Sequence, residues 1–497
     1  MANISADLVQ YRGLFFMAFI MGIGSTFQYG YQISVLNSPS PFIKQFINES
    51  WMRRHETTIT QGTHTLIWSL TVSVFSIGCL IGSVSSGYLS GKLGKKKCML
   101  YNTFLPLINT VLMGLSQTVG LFELIIVGRF LCGIYVGLGL NIHAQYIGES
   151  APRKLLGFLN CLAPMFVTLG KLCGQIVGIR ELFGTELMWP YILVPSGITS
   201  LVQLITLPLF PETPHYLLQV KGDKEACVKA LKQLWGDRDH QAEIEEMIEQ
   251  QRAQKKTGNM GILELLKDPS HRWQLYSMIG LILTMQLSGA NAIYFYSYDV
   301  FRAANFPPDK ISYVSIGVGA FEFVSAMVCS LLIEHFGRKF LMLGGFSLMS
   351  LILGLLTVTL SLQDSYLWMP YCSVALVFSF IFVFGAGPAG SIFTTCVEIF
   401  AQAPRVPALA VSGVFSWVGL YILGMIFPYL VGTLGHFCFL LFIAVMLISS
   451  TLAFFIVPET KGKSIAQISQ EFNKFNFRRQ HRKNLCEDKE YVLSTRL

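Results

Sequence analysis

Twelve apolar stretches, each long enough to cross a bilayer core at about 20 residues, follow one another along this chain. They fall at roughly 14–36, 66–90, 98–116, 121–146, 156–179 and 187–209, and, after a polar stretch, at 273–297, 311–334, 340–362, 366–390, 407–432 and 435–457. In hydrocarbon, a backbone satisfies its N–H and C=O groups internally, so stretches of this length fold as helices. The expected fold is all-α and membrane-embedded, with twelve transmembrane helices in two halves of six. The first stretch is one of many and lacks a clear small-x-small cleavage site, so it reads as a retained helix and not a signal peptide.

Composition agrees. The 497 residues are 52% hydrophobic and 13% charged, against about 25% charged in a soluble domain. The net charge of +8 does not point to nucleic acid. Its lysines and arginines cluster in short loops and at the C-terminus, as they do on the cytoplasmic side of membrane proteins. The 11 cysteines are scattered singly, for example Cys132, Cys161, Cys329 and Cys438, with no C-x-x-C. They read as buried free thiols, not as a disulfide or metal framework.

Polar signposts occur twice in the same order. Gly94-Lys95-Lys96-Lys97, Glu149 and Pro211-Glu212-Thr213 are matched by Gly337-Arg338-Lys339, Glu398 and Pro458-Glu459-Thr460, at offsets of 243, 249 and 247 positions. Two similar halves follow. The expected division is a cytoplasmic N-terminus (1–13), a six-helix bundle (14–209), a cytoplasmic linker (210–272), a second bundle (273–457) and a cytoplasmic tail (458–497).

Loops 91–97, 147–155 and 335–339 hold Lys92, Lys95, Lys96, Lys97, Arg153, Lys154, Arg338 and Lys339, and the tail adds Arg478, Arg479, Arg482 and Lys483. The alternate loops 117–120, 363–365 and 433–435 hold no basic residue. Both termini and the linker are therefore expected in the cytoplasm, and the stretch 37–65 outside, as a long loop. That loop carries Asn48-Glu49-Ser50, an N-glycosylation sequon; Asn3-Ile4-Ser5 falls on the inner side and is discounted. In the linker, segments 223–235 and 240–255 have the spacing of short amphipathic helices. They either latch under both halves or link them passively.

No phosphate-binding G-x-x-x-x-G-K-[ST], no H-E-x-x-H and no nucleophile elbow is present, so neither an enzyme nor a cofactor is expected. Function is sought among polar residues inside spans: Gln28, Asn141, His143, Gln175, Gln286, Ser288 and Asn291. Gln286 and Asn291 are five apart, offset by about 140° on a helix, and need not face the same way. Amides and hydroxyls both donate and accept, as recognition of a sugar requires. Nearby aromatics (Phe27, Tyr29, Tyr31, Tyr294, Phe295, Tyr296, Trp417) either cover a sugar ring or pack. His143 either makes an interhelical hydrogen bond or meets a ligand. Two charges, Lys171 and Glu322, also fall inside spans, and each needs a partner or water there. Gly385, Gly387, Pro388, Gly390, Gly424 and Pro428 mark places where later spans bend or pack closely.

Over residues 10–475 the chain resembles the facilitative hexose transporters of the major facilitator superfamily. The resemblance rests on Gly128-Arg129-Phe130, Gly148-Glu149-Ser150-Ala151-Pro152, Gln286-Leu287-Ser288-Gly289-Ala290-Asn291-Ala292, Gly337-Arg338-Lys339 and Pro458-Glu459-Thr460-Lys461-Gly462. Within the family, Met285, Glu322 and Gly387-Pro388-Ala389-Gly390 resemble the fructose-type class. The resemblance implies sugar contacts at Gln175, Gln286, Asn291, Glu322 and Trp417, to which the reading of polar span residues adds Gln28. A family glutamine is lost at Met285, a family asparagine becomes Glu322, and the glucose-type tryptophan falls near Phe393. It further implies alternating access, with a cytoplasmic clasp of Lys95, Arg129 and Glu149 in one half and Arg338, Glu398 and Arg405 in the other. Leu156 and His215 stand where the family has arginines, so the first cluster is either weaker or rebuilt through Arg153. In the family fold the fifth and eighth helices meet between the halves, so Lys171 and Glu322, each about 20 Å from its cytoplasmic end, either pair or leave Glu322 to couple protons. The partners implied are a small sugar and the lipid bilayer. Uniport of glucose or fructose is the leading expectation. Proton-coupled sugar symport, carriage of another small polar solute such as urate, and a non-transporting sensor are the alternatives.

Overall fold

The computed structural model describes residues 10–237, 240–257 and 260–476, and within them it is helical. The first half contains α1 (Arg12–Ser34), α2 (Ser40–His55), α3 (Gln61–Leu93), α4 (Lys95–Val119), α5 (Glu123–Ser150), α6 (Arg153–Val177) and α7 (Trp189–Leu209). The linker folds as α8 (Pro214–Gln219), α9 (Lys224–Trp235), α10 (Gln241–Thr257) and α11 (Ile262–Lys267). The second half contains α12 (Arg272–Leu287), α13 (Ala290–Ala303), α14 (Ile311–Phe336), α15 (Arg338–Ser361), α16 (Met369–Glu398), α17 (Gln402–Leu434) and α18 (Cys438–Ile456), and α19 (Ile465–Asn476) follows. Counting α12 and α13 as one broken span, and leaving out the short helices, twelve apolar helices cross the bundle among the described residues. α17 and α18 are continuous in composition and are parted by a 3-10 turn at Gly435–Phe437.

Local sequence explains the breaks. α3 ends at Gly94 (φ +86°) and α14 at Gly337 (φ +87°), conformations that a residue with a Cβ resists. α1 and α16 each carry a π turn, at Gly22–Thr26 and Gly385–Ala389. The second coincides with the Gly-Pro cluster read from sequence. There Pro388 has no N–H to give to the regular ladder, and a wider turn results.

The stretch expected as a long loop over 37–65 is largely helix. Ile43, Phe46, Ile47 and Ser50 of α2 are buried at helical spacing, and Phe46 packs on Trp189 with ring centroids 5.8 Å apart. Short apolar periodicity among charges hid this helix.

The halves meet along two seams, α3 against α17 and α6 against α14, while α1 reaches α13. The linker does not lie under both halves alike. Cys227, Ala230, Leu231, Leu234 and Trp235 of α9 join one apolar cluster with Leu14, Met17 and Ile147. The Trp235 indole donates to the Ser150 carbonyl at 2.8 Å. α11 rests instead on α17, with Leu265 in the other cluster. Burial pushes the Cys227 thiol up to about 11.

Candidate substrate site and gates

Lys171 of α6 and Glu322 of α14 face each other across a seam between the halves. The ammonium lies 2.8 and 3.0 Å from the two carboxylate oxygens, and each residue is 5% exposed. The same ammonium sits 4.0 Å from the ring centroid of Tyr294 on α13. A carboxylate and an aromatic face thus share one buried cation. Of the two alternatives, pairing with Lys171 or a free Glu322, the pair is the one present.

One turn further along α6, Gln175 lies over Gly319, itself one turn before Glu322. Gln175 is 1% exposed, and neither its amide nitrogen nor its oxygen has a protein partner. A buried amide left unpaired costs about 1–3 kcal/mol. It is therefore placed for something other than stability.

Gln286 and Asn291 do face the same way, because the span between them is not one helix. α12 stops at Leu287, Gly289 adopts φ +95°, and α13 starts at Ala290. The constant angle per residue fails across this left-handed step. Asn291 Nδ2 donates to Gln286 Oε1 at 2.6 Å, and Gln286 Nε2 donates to Ser416 Oγ on α17 at 2.7 Å. Trp417, the next residue, donates from Nε1 to Ser83 Oγ of α3 at 2.9 Å. Its ring meets Tyr29 of α1 edge-on, with centroids 5.6 Å apart.

The structure does not bring Gln28 to this group. Its amide donates to the Thr199 hydroxyl of α7, within the first half. Adjacent helical residues point about 100° apart, and it is Tyr29 that faces the seam. Asn141 bonds the Gly137 carbonyl of its own helix at 3.1 Å, and His143 is buried on the same helix.

At the linker end, the duplicated signposts form one knot in each half. The Glu212 carboxylate accepts from the backbone N–H of Lys96 at 3.0 and 3.2 Å. Glu459 accepts from the backbone of Arg338, Lys339, Thr460 and Lys461, each at 3.0 Å. Each glutamate of the Pro-Glu-Thr motif therefore caps the helix that starts after the glycine, where unpaired N–H groups and the helix dipole favour an anion. Burial raises the Glu459 carboxyl, but these four donors outweigh it and hold the group below its ordinary range. The ion pairs complete the knots: Lys95 with Glu149 at 2.8 Å and Arg338 with Glu398 at 2.9 Å. Arg405 turns to the Phe400 carbonyl at 3.1 Å. The side chain of Arg153, Asn3 and the basic tail Arg478–Lys483 lie outside the described residues.

Arg129 is not part of a knot. It stands twenty residues before Glu149 on α5, about 30 Å away along the axis. It is fully buried, donates to the Gln32 carbonyl at 2.8 Å and to Gln32 Oε1 at 3.0 Å, and lies 4.7 Å from the Phe75 ring centroid. Arg129 therefore does not belong to the clasp expected from sequence, because span direction puts it near the opposite end.

That far end carries contacts between halves. Asn37 Nδ2 donates to the Tyr294 carbonyl, and Asn37 Oδ1 accepts from Ser297 N at 3.3 Å. Lys44 of α2 pairs with both oxygens of Asp299 of α13 at 2.8 and 2.9 Å. The Tyr313 hydroxyl donates to Glu181. No motif marks Asn37, Lys44 or Asp299 in the sequence; two lone charges at the margins of the first and seventh spans were the available signal. Asn48 is exposed on α2, while Ser50 is buried and donates to the Gly120 carbonyl at 3.1 Å.

Two six-helix halves, with polar side chains buried where they meet and polar contacts joining them at one end, define a membrane carrier of the major facilitator type. The chain belongs to the sugar transporter family: the family described as "Sugar (and other) transporter" matches residues 17–472. It is 40% identical over 453 residues to the human solute carrier family 2, facilitated glucose transporter member 9, covering 91% of this chain and 84% of that one. It is 38% identical over 490 residues to human member 11, covering 99% of each. Among solved structures it matches the xylose transporter XylE from E. coli in an inward-open conformation, with a TM-score of 0.75 and 19% identity over 93% of this chain and 99% of that one. The fold class and family expected from sequence both hold, and the relatives are carriers, not enzymes.

Proposed function

We propose that this protein carries hexose, glucose or fructose, by facilitated uniport across the plasma membrane, through alternating access of the bundles 14–209 and 273–457. The relatives named glucose transporters support the substrate class. The observation that carries the reading is Gln175, a buried neutral amide with all its hydrogen-bonding capacity unspent. It sits on the seam beside Lys171 and Glu322. A hydroxyl-rich neutral solute matches such a group. Gln286, Asn291, Glu322 and Trp417 complete the site; Gln28 acts through α7 packing.

The linker end is assigned to the cytoplasm, with both termini there, on the basis of its lysines and arginines. Asn48 is then an exterior glycosylation site. The Asn37–Tyr294 and Lys44–Asp299 contacts close the exterior side. Lys95, Glu149, Arg338, Glu398 and Arg405 are the cytoplasmic gate, each bonded within its own half as a clasp in its released position would be. Arg153 is proposed to join Glu149 when the clasp engages.

Counterflow of labelled fructose and glucose in proteoliposomes tests this reading, with and without a pH gradient. Saturable exchange that ignores the gradient supports uniport. Uptake that follows the gradient, or exchange of neither sugar, overturns it.

A further inference from the structure

We propose that the Lys171–Glu322 pair sets the charge selectivity of the central site, and that Lys171 is a latent anion-recognition residue whose positive charge is compensated by Glu322. The inference rests on the hexose-carrier reading above. Its starting point is an oddity: a neutral sugar needs no ion pair, yet two charges are buried at the seam, 2.8 Å apart, beside the orphaned Gln175 amide.

Together the charges cancel. Hydroxyls donate to the carboxylate and accept from the ammonium, so a neutral polyol meets both without disturbing the balance. A sugar acid meets a cation already compensated, beside a like charge, and has no partner for its own carboxylate. Burying an unpaired charge there costs several kcal/mol, so the pair excludes anions. The same argument excludes protonated amino sugars.

Removing one charge inverts the selectivity. Glu322→Gln leaves the Lys171 ammonium over the Tyr294 ring with no carboxylate. The Gln175 amide one turn away then offers unpaired N–H donors to an incoming carboxylate. Lys171→Met leaves Glu322 uncompensated and favours a cationic amino sugar.

The test uses the full chain in proteoliposomes with labelled D-glucose, D-glucuronate and D-glucosamine. Glu322→Gln is expected to raise the glucuronate-to-glucose uptake ratio at least about tenfold over the unsubstituted chain, equivalent to about 1.4 kcal/mol. Lys171→Met should raise the glucosamine-to-glucose ratio instead. The double variant Lys171→Met/Glu322→Gln should return both ratios to their starting values. Thermal unfolding in detergent gives a second readout: glucuronate should protect Glu322→Gln and not the double variant. Unchanged ratios in both single variants, or equal glucuronate uptake by Glu322→Gln and the double variant, overturn the proposal. So does failure to recover either single variant even with its matching charged sugar while the double variant folds. If the unsubstituted chain moves no hexose, the transport reading fails, while the protection assay still decides the charge argument.

Discussion

Replacing Asp299 with asparagine keeps the side chain's shape but removes one charge from the Lys44 pair. That pair joins the halves at the far end, so in the proposed cycle it is made only while the exterior side is closed. Both carboxylate oxygens lie within 2.9 Å of the ammonium, with side-chain exposures of 26% and 33%. Exposed pairs contribute about 0.2–1 kcal/mol and fully buried ones cost about 3–5 kcal/mol to break. A half-exposed pair with good geometry belongs near 1 kcal/mol. Lys44 also lies 5.1 Å from the Trp68 ring centroid, but Trp68 is in the same half, so that contact survives opening. A loss of about 1 kcal/mol shifts the ratio of exterior-open to exterior-closed forms about fivefold. A single cysteine introduced at Phe42, in an otherwise cysteine-free background, reports the open population through its labelling by a membrane-impermeant maleimide. Asp299→Asn should speed labelling about fivefold, Lys44→Met by a similar factor, and both together by no more than either. High salt should reproduce part of the effect in the parent protein and little in Asp299→Asn. Factors that multiply in the double variant would refute the latch, since they would show the two side chains acting independently.

Three further outcomes follow from the same geometry. Gln175→Leu should leave the melting temperature unchanged or raised, because an amide without partners is removed, yet lower hexose uptake by about tenfold or more; parallel loss of stability and transport would make Gln175 structural. Lys171→Met and Glu322→Gln should each destabilise the detergent-solubilised protein by about 3–5 kcal/mol, and together by much less than their sum, in a double-mutant cycle of thermal unfolding; additive losses would remove the pair as an energetic unit. Glu459→Gln should lose stability at neutral pH. Because the native carboxyl titrates below its unfolded value of about 4.3, the stabilisation from its four donors is complete above that pH and disappears as pH falls through the lower native value. The stability difference between parent and variant should thus be constant from pH 5 to 8 and shrink below about pH 4; a difference that shrinks already near pH 6 would contradict the cap.

The apolar spans were legible because period and length are set by the bilayer, a solvent uniform enough for one rule to serve all twelve. The Lys171–Glu322 pair was legible in part for a related reason: helix rise converts sequence position into depth, while the family resemblance supplied the meeting of the fifth and eighth spans. The same arithmetic, applied with span direction, would have excluded Arg129 from the clasp, since α5 runs away from the far end before it reaches Glu149. Two other features resisted. The Gln286–Asn291 contact depends on the left-handed step at Gly289, and helical geometry assumed through that step points the amides apart. The far-end contacts of Asn37, Lys44 and Asp299 join residues some 255 positions apart with no pattern in either segment. Only the packed halves reveal them.

Magnitude separates the inter-half contacts into pivot and gate. In a rocking carrier, contacts far from the axis break on every cycle, and contacts near the axis persist. A contact that costs about 3–5 kcal/mol to break would add several orders of magnitude to the barrier if each cycle ruptured it. The Lys171–Glu322 pair is in that range, and it lies well inside α6 and α14, away from either gate. It fits a pivot. The Lys44–Asp299 pair, half exposed and near 1 kcal/mol, fits a gate, since water replaces its partner when it opens. The duplicated knots fit neither role alone. Their Glu212 and Glu459 caps stay within one half and hold helix starts in place. The knots differ in the neighbouring threonine: Thr213 donates to Glu149 at 2.6 Å, whereas Thr460 Oγ1 and Glu398 Oε2 are buried without partners. The second copy thus has a spare donor and a spare acceptor where the first has a closed bond. In the proposed cycle, an incoming group from the first half is received at Glu398 without breaking a bond already made there, which in that proposal makes the second half the receptive side of the clasp.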